Sequence, residues 1–192
     1  MRIKVGVLGV QGDFSLHCNS LKKIGVEPIV VRRPEELDSC KAMVIPGGES
    51  TTFLNLLRET GLVQAIIEFS RSKPVMGTCA GLITLSRKVE NEKNMETLKL
   101  IDIVVQRNGY GRQIDSFIDT VQIPVFPEKS VFEGVFIRAP RIVSIGKDTE
   151  ALGFYKDETV MVRNENILAL TFHPELTKDL RIHRYFVDTF IS

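Results

Sequence analysis

The first half of the chain alternates short apolar runs, rich in β-branched residues, with segments whose apolar residues recur at helical spacing. The apolar runs are residues 4–10, 28–31, 42–45 and 74–76. Helices are predicted between residues 14 and 24, between 50 and 61, and over 62–69. Such alternation is typical of βαβ units, in which helical crossovers connect parallel strands. The pattern therefore predicts a parallel sheet flanked by helices.

From residue 100 onward the pattern changes to strands separated by polar turns. The predicted strands are residues 101–106, 117–123, 135–137, 142–145, 160–163 and 167–172. Several of these are expected to be antiparallel, an amphipathic helix is predicted over 177–190, and the polar residues 88–99 are predicted to form a loop. We expect residues 1–192 to form a single α/β domain of three layers, with one mixed, mostly parallel central sheet, similar to flavodoxin.

The composition narrows the class of protein. Of 192 residues, 43% are hydrophobic and 26% are charged, so a sizeable core is expected and disorder is excluded. The 25 basic and 24 acidic residues form no basic block, which argues against nucleic acid as a partner. The longest uncharged stretch, residues 74–86, is too short to cross a membrane, and the N-terminal residues lack a signal-peptide pattern. A cytoplasmic globular protein is the expectation.

Cys79 lies in the pentapeptide GTCAG at residues 77–81, between a predicted strand and the helical run 82–85. A small residue two positions on either side of a nucleophile is the pattern of a nucleophile elbow, whose tight turn excludes larger side chains. Backbone N–H groups of the following helix would favour a thiolate there. The alternative is a buried structural cysteine. Cys18 and Cys40 lack this context, and three widely spaced cysteines fit neither a disulfide framework nor a metal site.

His173 is the candidate base for such a nucleophile. It directly follows a predicted strand, and Glu175 lies two residues further along. One imidazole nitrogen could face Cys79 while the carboxylate holds the other, as in a catalytic triad. The alternatives are a packed histidine and a glutamate that only favours the N-terminus of the last helix. His17 and His183 fall in helical segments, and we expect solvated or interface roles for both.

The sequence PGGES at residues 46–50 lies between a predicted strand and a predicted helix. Two consecutive glycines, Gly47 and Gly48, can let backbone N–H groups point at a ligand, which suits the oxyanion formed when Cys79 attacks a carbonyl. Phosphate binding is another use of such a loop, but the lysine of a Walker A motif and the GxGxxG spacing are absent. Ser50 is the expected N-cap of that helix, and the alternative for the whole loop is a tight turn with a helix cap.

Six blocks of sequence carry a resemblance that extends over nearly the whole chain. The blocks are GVLGVQGD at residues 6–13, PGGESTT at 46–52, GTCAG at 77–81, RNGYGRQ at 107–113, FIRAP at 136–140 and FHPELT at 172–177. Together they resemble the triad-type, or class I, glutamine amidotransferases, and within them the glutaminase subunits of pyridoxal phosphate synthase. The clearest departure is Tyr110, where that family more often has Phe.

The resemblance implies a class I glutamine amidotransferase-like fold and hydrolysis of L-glutamine to glutamate and ammonia through a thioester, without a cofactor or metal ion. It implies that Cys79 is the nucleophile, that His173 is the general acid and base, and that Glu175 orients His173. The oxyanion would be held by backbone N–H groups of Ala80 and of the Gly47–Gly48 loop.

The resemblance also implies a binding site for glutamine. Its residues would be Gly47, Gly48, Glu49, Ser50, Ala80, Arg107, Ile137 and Arg138. An arginine can pair bidentately with the α-carboxylate of glutamine, and Glu49 has the charge to meet the α-ammonium group. The alternative for each arginine is a surface ion pair.

By the same resemblance, the ammonia passes to a synthase subunit that builds pyridoxal phosphate, and the two kinds of subunit assemble in a large hetero-oligomer. Glutaminases of this kind are weak alone and are activated by the synthase. Dependence on the partner would save glutamine when no ammonia acceptor is present. We expect the Gln11–Gly12 turn and the loop 46–50 to lie near that interface.

Other functions stay open from the sequence. One is a glutaminase that serves another synthase, such as imidazole glycerol phosphate synthase. Another is a non-catalytic binding module or a redox-sensing cysteine protein on the same fold. His173 and Glu175 argue against this alternative, because neither function needs a base and its orienter. A cysteine peptidase has only the elbow in its favour.

Overall fold

The computed structural model describes residues 2–92, 94–111 and 116–191. The strands are β1 Lys4–Leu8, β2 Glu27–Val31, β3 Ala42–Ile45, β4 Val75–Thr78, β5 Ser86–Val89, β6 Ile101–Gln106, β7 Ser116–Gln122, β8 Val131–Ile137, β9 Arg141–Ile145, β10 Glu150–Tyr155, β11 Glu158–Arg163 and β12 Ile167–Leu170. The α-helices are α1 Phe14–Lys23, α2 Ser50–Glu59, α3 Leu62–Ser70, α4 Ala80–Leu85 and α5 Arg181–Phe190. No helix in this part of the chain is long and apolar enough to span a bilayer.

A nine-stranded sheet has the order β2-β1-β3-β4-β12-β11-β10-β7-β8. Its first five strands pair in parallel, and the remaining four extend it as antiparallel neighbours. β12 comes last in the chain but lies beside β4 in the parallel half. The carboxyl ends of two strands distant in sequence are thereby brought side by side, which is where open α/β sheets place their sites.

Both faces of the parallel half are covered by helices. In β3, Ala42 and Val44 face one apolar cluster while Met43 and Ile45 face the other, and all four are fully buried. α1 and α5 pack on the first face, and α2, α3 and α4 pack on the second. Burial on both faces explains why these strands read as continuous apolar runs in the sequence. The result is the expected arrangement of three layers with a large mixed sheet.

The structure departs from the sequence predictions in its smaller elements. A separate three-stranded sheet, β5-β6-β9, accompanies the main sheet, whereas one sheet was expected. β5 takes up residues 88 and 89, which were assigned to a loop, and β10 was not predicted. The last helix begins at Arg181 rather than at 177, after a short 3-10 turn over Pro174–Leu176. These differences arise from pairing between distant segments, which local periodicity does not report.

Candidate active site

Cys79 lies at the sharp turn from β4 into α4. Its φ of 50° and ψ of −104° put a non-glycine residue at positive φ, a strained conformation typical of functional turns. The two glycines around it are required by close packing. A Cβ at Gly77 would lie 2.5 Å from Cδ1 of Leu85, and a Cβ at Gly81 would lie 2.1 Å from the carbonyl oxygen of Ile45. The local geometry is therefore that of the predicted elbow.

His173 lies beside this turn because β12 pairs in parallel with β4, with Leu170 opposite Thr78. The backbone N–H of Cys79 donates to the carbonyl oxygen of Leu170 at 2.8 Å, which ties the elbow to the strand that leads to His173. The backbone N–H of His173 donates in turn to the carbonyl oxygen of Val135 on β8, at 2.9 Å. Hydrogen bonds from two sides thus fix the backbone of both residues.

Glu175 holds the imidazole of His173. Its Oε1 lies 2.7 Å from Nδ1 of His173, and the residue is only 5% exposed. Burial by itself raises the pKa of Glu175, but the neighbouring imidazoles of His17 and His173 outweigh it and lower that pKa below its ordinary value. The ionised carboxylate accepts the Nδ1–H of His173. Nε2 of His173 is then left for chemistry; it is buried and has no hydrogen-bond partner among the described residues.

The proton on His173 is held firmly. Burial lowers the pKa of His173, but the Cys79 side chain and the Glu175 carboxylate outweigh burial and raise the pKa to about 10. The imidazolium form is therefore favoured at neutral pH, and a cationic imidazole stabilises a neighbouring thiolate. The Cys79 thiol also lies 3.8 Å from the carbonyl oxygen of Ile137. The pair combines a nucleophile with an acid.

A cavity of about 200 Å³ opens over Cys79 and His173. Its other lining residues are Gly12, Asp13, Gly47, Gly48, Glu49, Ser50, Ile83, Arg107, Asn108, Ile137 and Arg138. Pockets for drug-sized molecules have volumes of about 300–1,000 Å³, so this cavity suits a ligand of about the size of one amino acid. Its walls carry negative and positive side chains, which match the two oppositely charged groups of a free amino acid.

The loop 46–50 packs tightly against the candidate base. A Cβ at Gly47 would lie 2.3 Å from Cε1 of His173, so only glycine leaves room for the imidazole ring. Gly12 has a φ of 81°, and a Cβ there would lie 1.9 Å from the carbonyl oxygen of Gly47. The side chain of Gln11 lies 3.6 Å from where a Cβ of Gly48 would be. The Gln11–Gly12 turn therefore braces the loop.

Glu49, and not Ser50 as expected, caps α2. Its carboxylate accepts the backbone N–H groups of Thr51 at 3.1 Å and of Thr52 at 2.6 Å. Burial raises the pKa of Glu49, but these hydrogen bonds and the nearby Arg107 outweigh it and lower the pKa to about 2. The carboxylate is consequently a fixed negative charge at the mouth of the cavity.

Arg107 is held between two carboxylates. Its Nη2 lies 3.2 Å from Oε1 of Glu49, and its Nη1 lies 3.3 Å from Oε1 of Glu92. Arg138, just after β8 with a φ of 40°, also lines the cavity. Within residues 2–92, 94–111 and 116–191, Arg138 takes part in no ion pair. The two arginines therefore differ in how readily they can meet an anionic ligand.

Comparison with known proteins agrees with this geometry. The family model described as the SNO glutamine amidotransferase family matches residues 7–192. The chain belongs to this family. A pyridoxal 5'-phosphate synthase subunit PdxT from Thermotoga sp. (strain RQ2) is 49% identical over 187 residues, which cover 97% of the chain and 98% of the relative. The PdxT subunit of Dictyoglomus turgidum is 47% identical, with 96% of the chain and 97% of that relative covered.

Solved structures support the family assignment. A crystal structure of a glutamine amidotransferase matches with a TM-score of 0.90 and 41% identity, covering 96% of this chain and 97% of that one. The structure of PurLQS from Thermotoga maritima matches with a TM-score of 0.72 at 17% identity, covering 98% of this chain and 99% of that one, so it shows the shared fold alone. The class I glutamine amidotransferase fold expected from the sequence is confirmed.

Against the fold of this family, the predicted site residues can be placed one by one. Of the predicted substrate-binding residues, Ala80 does not line the cavity; it is buried directly after Cys79, where only its backbone N–H can serve the site. Asp13 and Asn108 line the cavity without having been singled out. Both lie in the blocks GVLGVQGD and RNGYGRQ, so their position there was the available signal. Arg112 and Gln113 of the second block lie outside the described residues.

The prediction for two histidines was wrong. His17 and His183 are fully buried, and their ring nitrogens lie 3.0 Å apart, whereas solvated or interface roles were expected. The reason is that α1 and α5 cover the same face of the sheet, so that each helix hides a polar residue against the other. Cys18 and Cys40 are free and buried, in keeping with structural roles. In the described part of the chain, no group of three or more His, Cys, Asp or Glu could hold a metal ion.

Proposed function

We propose that the protein hydrolyses L-glutamine to L-glutamate and ammonia, and that it delivers the ammonia to a pyridoxal 5'-phosphate synthase partner. The carrying observation is the Cys79 elbow beside His173, which Glu175 holds at 2.7 Å, at the base of a cavity the size of one amino acid. Membership of the SNO family supports the reaction, and the PdxT relatives supply the identity of the partner. Residues 1–192 would act as one glutaminase domain.

In the first half of the proposed reaction, the Cys79 thiolate attacks the carbon of the glutamine side-chain amide. The tetrahedral intermediate carries its negative charge on the former amide oxygen. His173, protonated at neutral pH, gives its Nε2 proton to the leaving nitrogen, and ammonia departs as the C–N bond breaks. The product is a glutamyl thioester on Cys79 and a neutral His173.

In the second half, neutral His173 takes a proton from a water molecule that attacks the thioester carbon. The C–S bond breaks to give the side-chain carboxylic acid, and the Cys79 thiolate and the His173 imidazolium are restored together; the acid then loses its proton to water and becomes glutamate. Glu175 keeps its negative charge throughout and accepts the Nδ1–H of His173, so that Nε2 always faces the reaction. One histidine thus serves as acid and then as base.

The charged wall of the cavity suits the amino-acid end of glutamine. Arg138 would pair with the α-carboxylate, because Arg107 is already engaged by Glu49 and Glu92. Glu49 is ionised and 42% exposed in its side chain, so it can accept the α-ammonium group without losing its contact with the helix. Arg107 would then hold Glu49 in place. Gly48, Ser50 and Ile137 complete the walls.

The oxyanion would be held by backbone N–H groups of Ala80 and of the Gly47–Gly48 loop. The Gln11–Gly12 turn braces this loop, so a partner that presses on the turn could change the orientation of the loop peptide. Such a dependence would limit glutamine hydrolysis to the assembled complex. We propose the turn and the loop as part of the surface that meets the synthase subunit.

The alternatives have less support. A glutaminase for imidazole glycerol phosphate synthase is not favoured, since the relatives compared above are PdxT subunits over nearly their whole length. A silent binding module or a redox sensor would have no use for a buried carboxylate held on His173. The arrangement of Cys79, His173 and Glu175 therefore favours catalysis over both alternatives.

The test is ammonia release from glutamine by the purified chain, alone and with a pyridoxal 5'-phosphate synthase subunit. We expect strong stimulation by that subunit and none by imidazole glycerol phosphate synthase. Stimulation by the second synthase only would identify a different pathway. A folded chain that binds the synthase subunit but releases no ammonia would contradict the proposed reaction.

A further inference from the structure

Behind Glu175 lies a row of buried imidazoles that the reaction above does not use. Oε2 of Glu175 lies 3.3 Å from Nε2 of His17, which extends from α1. Nδ1 of His17 lies 3.0 Å from Nε2 of His183, which extends from α5. Both histidines have 0% exposure. The row therefore leads from α5 through α1 to the carboxylate that holds His173.

His17 also contacts the strand that carries the nucleophile. Its Nε2 lies 3.3 Å from Oγ1 of Thr78, the residue before Cys79. One ring nitrogen of His17 thus contacts both the end of β4 and the carboxylate of Glu175. Oε2 of Glu175 makes no hydrogen bond of ordinary geometry among the described residues, and Nε2 of His17, at 3.3 Å, is the ion-pair contact that it has there. A buried carboxylate oxygen without a donor is costly, and His17 is the group placed to compensate it.

The chemistry of these groups fixes where the protons lie. An ionised carboxylate only accepts hydrogen bonds, so a lone pair on Nε2 of His17 would repel Oε2 of Glu175, and Nε2 must carry the proton. Burial lowers the pKa of His17, despite the opposing effect of Glu175, so the ring is neutral and its Nδ1 is an acceptor. His183 must then donate its Nε2–H to that acceptor. Burial and His17 lower the pKa of His183 to about 3, so it too is neutral.

We infer that His17 is a positioning residue for the glutaminase reaction: its Nε2–H fixes the second carboxylate oxygen of Glu175 and, through Glu175, the Nδ1–H tautomer of His173. His183 fixes the tautomer of His17. His183 then donates to His17, and His17 and His173 each direct an N–H group at Glu175. Nε2 of His173 is left for the substrate. The inference rests on the proposed function for its kinetic consequence, but the proton positions follow from the contacts and the burial of the two rings.

Three substitutions of His17 separate positioning from packing. His17→Leu fills the site without a donor. His17→Gln and His17→Asn carry the same amide at different reach: the glutamine amide can occupy the position of Nε2, whereas the asparagine amide reaches only the position of Nδ1. Gln therefore restores a donor to Glu175, and Asn keeps only the contact with His183. The Asn and Gln variants are matched in polarity and differ in the one contact that matters.

The measurement is ammonia release by each variant saturated with the synthase subunit, with kcat and KM for glutamine separated over a range of pH. We expect kcat to fall about 10- to 100-fold in His17→Leu and His17→Asn, the loss typical of a residue that orients a catalytic group, with KM little changed. His17→Gln should recover most of kcat. The pH profile should move in the Leu and Asn variants, because a poorly held Glu175 supports the His173 imidazolium less well. The titratable groups that face His17 are Glu175, His173 and Asp13, together with His183, whose ring nitrogen lies 3.0 Å away.

A folded His17→Leu complex with wild-type kcat and an unchanged pH profile would overturn the inference. Equal losses in His17→Asn and His17→Gln would do the same, since a purely structural role does not distinguish their reach. Should His17→Leu fail to fold, the Asn and Gln pair still decides.

The tautomers can be read in the unsubstituted protein by ¹⁵N NMR of the imidazole rings. The inference requires neutral Nε2–H forms of His17 and His183, and an Nδ1–H form of His17 would overturn it. This measurement also keeps the two proposals apart. If the wild-type complex released no ammonia from glutamine, the proposed function would fail, whereas the tautomer result would still stand or fall independently.

Discussion

Two sides of the same cavity are built in different ways. The triad side, made of Cys79, His173 and Glu175, is almost closed to solvent, with each of its residues at most 7% exposed. The ion-pair side, made of Glu49 and Arg107, has side chains that are 42% and 27% exposed. On the triad side, hydrogen bonds from neighbouring strands hold the backbone. On the ion-pair side, long side chains hold one another.

The difference shows which contacts can be exchanged for a ligand. An exposed ion pair is weakly bound, because water screens its charges and its side chains lose conformational freedom when paired. The contact between Glu49 and Arg107 can therefore adjust when a charged ligand arrives. The buried carboxylate of Glu175 cannot leave His173 without a large penalty. In the proposed function, the ion-pair side binds glutamine, and the triad side keeps its geometry for the reaction.

The largest loss of activity is expected from His173→Gln on the triad side. It removes the acid and base of both proposed half-reactions, and we expect kcat/KM for ammonia release to fall by about 10²–10⁴. Steady-state kinetics with the synthase subunit measure the loss. Circular dichroism and partner binding serve as controls for folding. A loss below about tenfold would assign the proton transfers to another group.

Gly47→Ala tests whether the position of His173 depends on its close packing against the loop 46–50. The new Cβ would lie 2.3 Å from Cε1 of His173, so the ring or the loop must move. A displacement of the reacting groups by about 1 Å can cost about 10² in rate, and we expect a fall of that order in kcat. The matched control is Gly25→Ala, where φ is 86° and no atom lies within 4 Å of the added Cβ. It should lose stability but not activity.

On the ion-pair side, a smaller effect of a different kind is expected. Arg107→Lys keeps the charge but cannot hold two carboxylates in a planar fork. Glu49 would be positioned less well, and we expect KM for glutamine to rise roughly tenfold while kcat changes little. Arg138→Lys, at the proposed α-carboxylate contact, should raise KM by at least as much. A change in kcat alone for Arg107→Lys would contradict its proposed role in binding and would indicate a role in the chemical steps.

The two sides should also lose stability at opposite ends of the pH scale. The pKa of His173 is raised from 6.5 to about 10, so its contribution is complete below pH 6.5 and is lost as pH rises through about 10. The pKa of Glu49 is lowered from 4.5 to about 2, so its contribution is present above pH 4.5 and is lost as pH falls through about 2. Differences in the free energy of unfolding between the wild type and His173→Gln, and between the wild type and Glu49→Gln, measure the two. The Glu49 difference should be the smaller one because that side is exposed.

The triad side was the more predictable from sequence. The elbow around Cys79 is a local feature, since Gly77, Gly81 and the preceding strand lie within a few residues of it. His173 and Glu175 are two residues apart in the chain, so their contact follows from a short turn. The parallel pairing of β4 with β12 brings them to Cys79. The βαβ pattern predicts a parallel sheet, but it does not predict that these two strands are neighbours. The motif blocks supplied the rest.

The remaining features depend on contacts between distant segments. The α1 and α5 sequences show amphipathic spacing but not which helix each one meets, so the burial of His17 against His183 could not be read from either. The pairing of Glu49 with Arg107 joins residues 58 positions apart. The small sheet β5-β6-β9 likewise forms from strands whose local patterns do not name their partners. Fold class is encoded in periodicity, but these contacts are set by the tertiary structure.

In the proposed reaction, Cys79 attacks the side-chain amide of glutamine and His173 transfers the protons. The most direct measurement is ammonia release by complexes of the synthase subunit with the wild type, Cys79→Ala, His173→Gln and the double variant. Because the two residues would act as one unit, we expect Cys79→Ala to abolish stimulated release and the double variant to be no worse than Cys79→Ala alone. Stimulated release that survives in a folded, partner-bound Cys79→Ala complex would show that Cys79 is not the nucleophile.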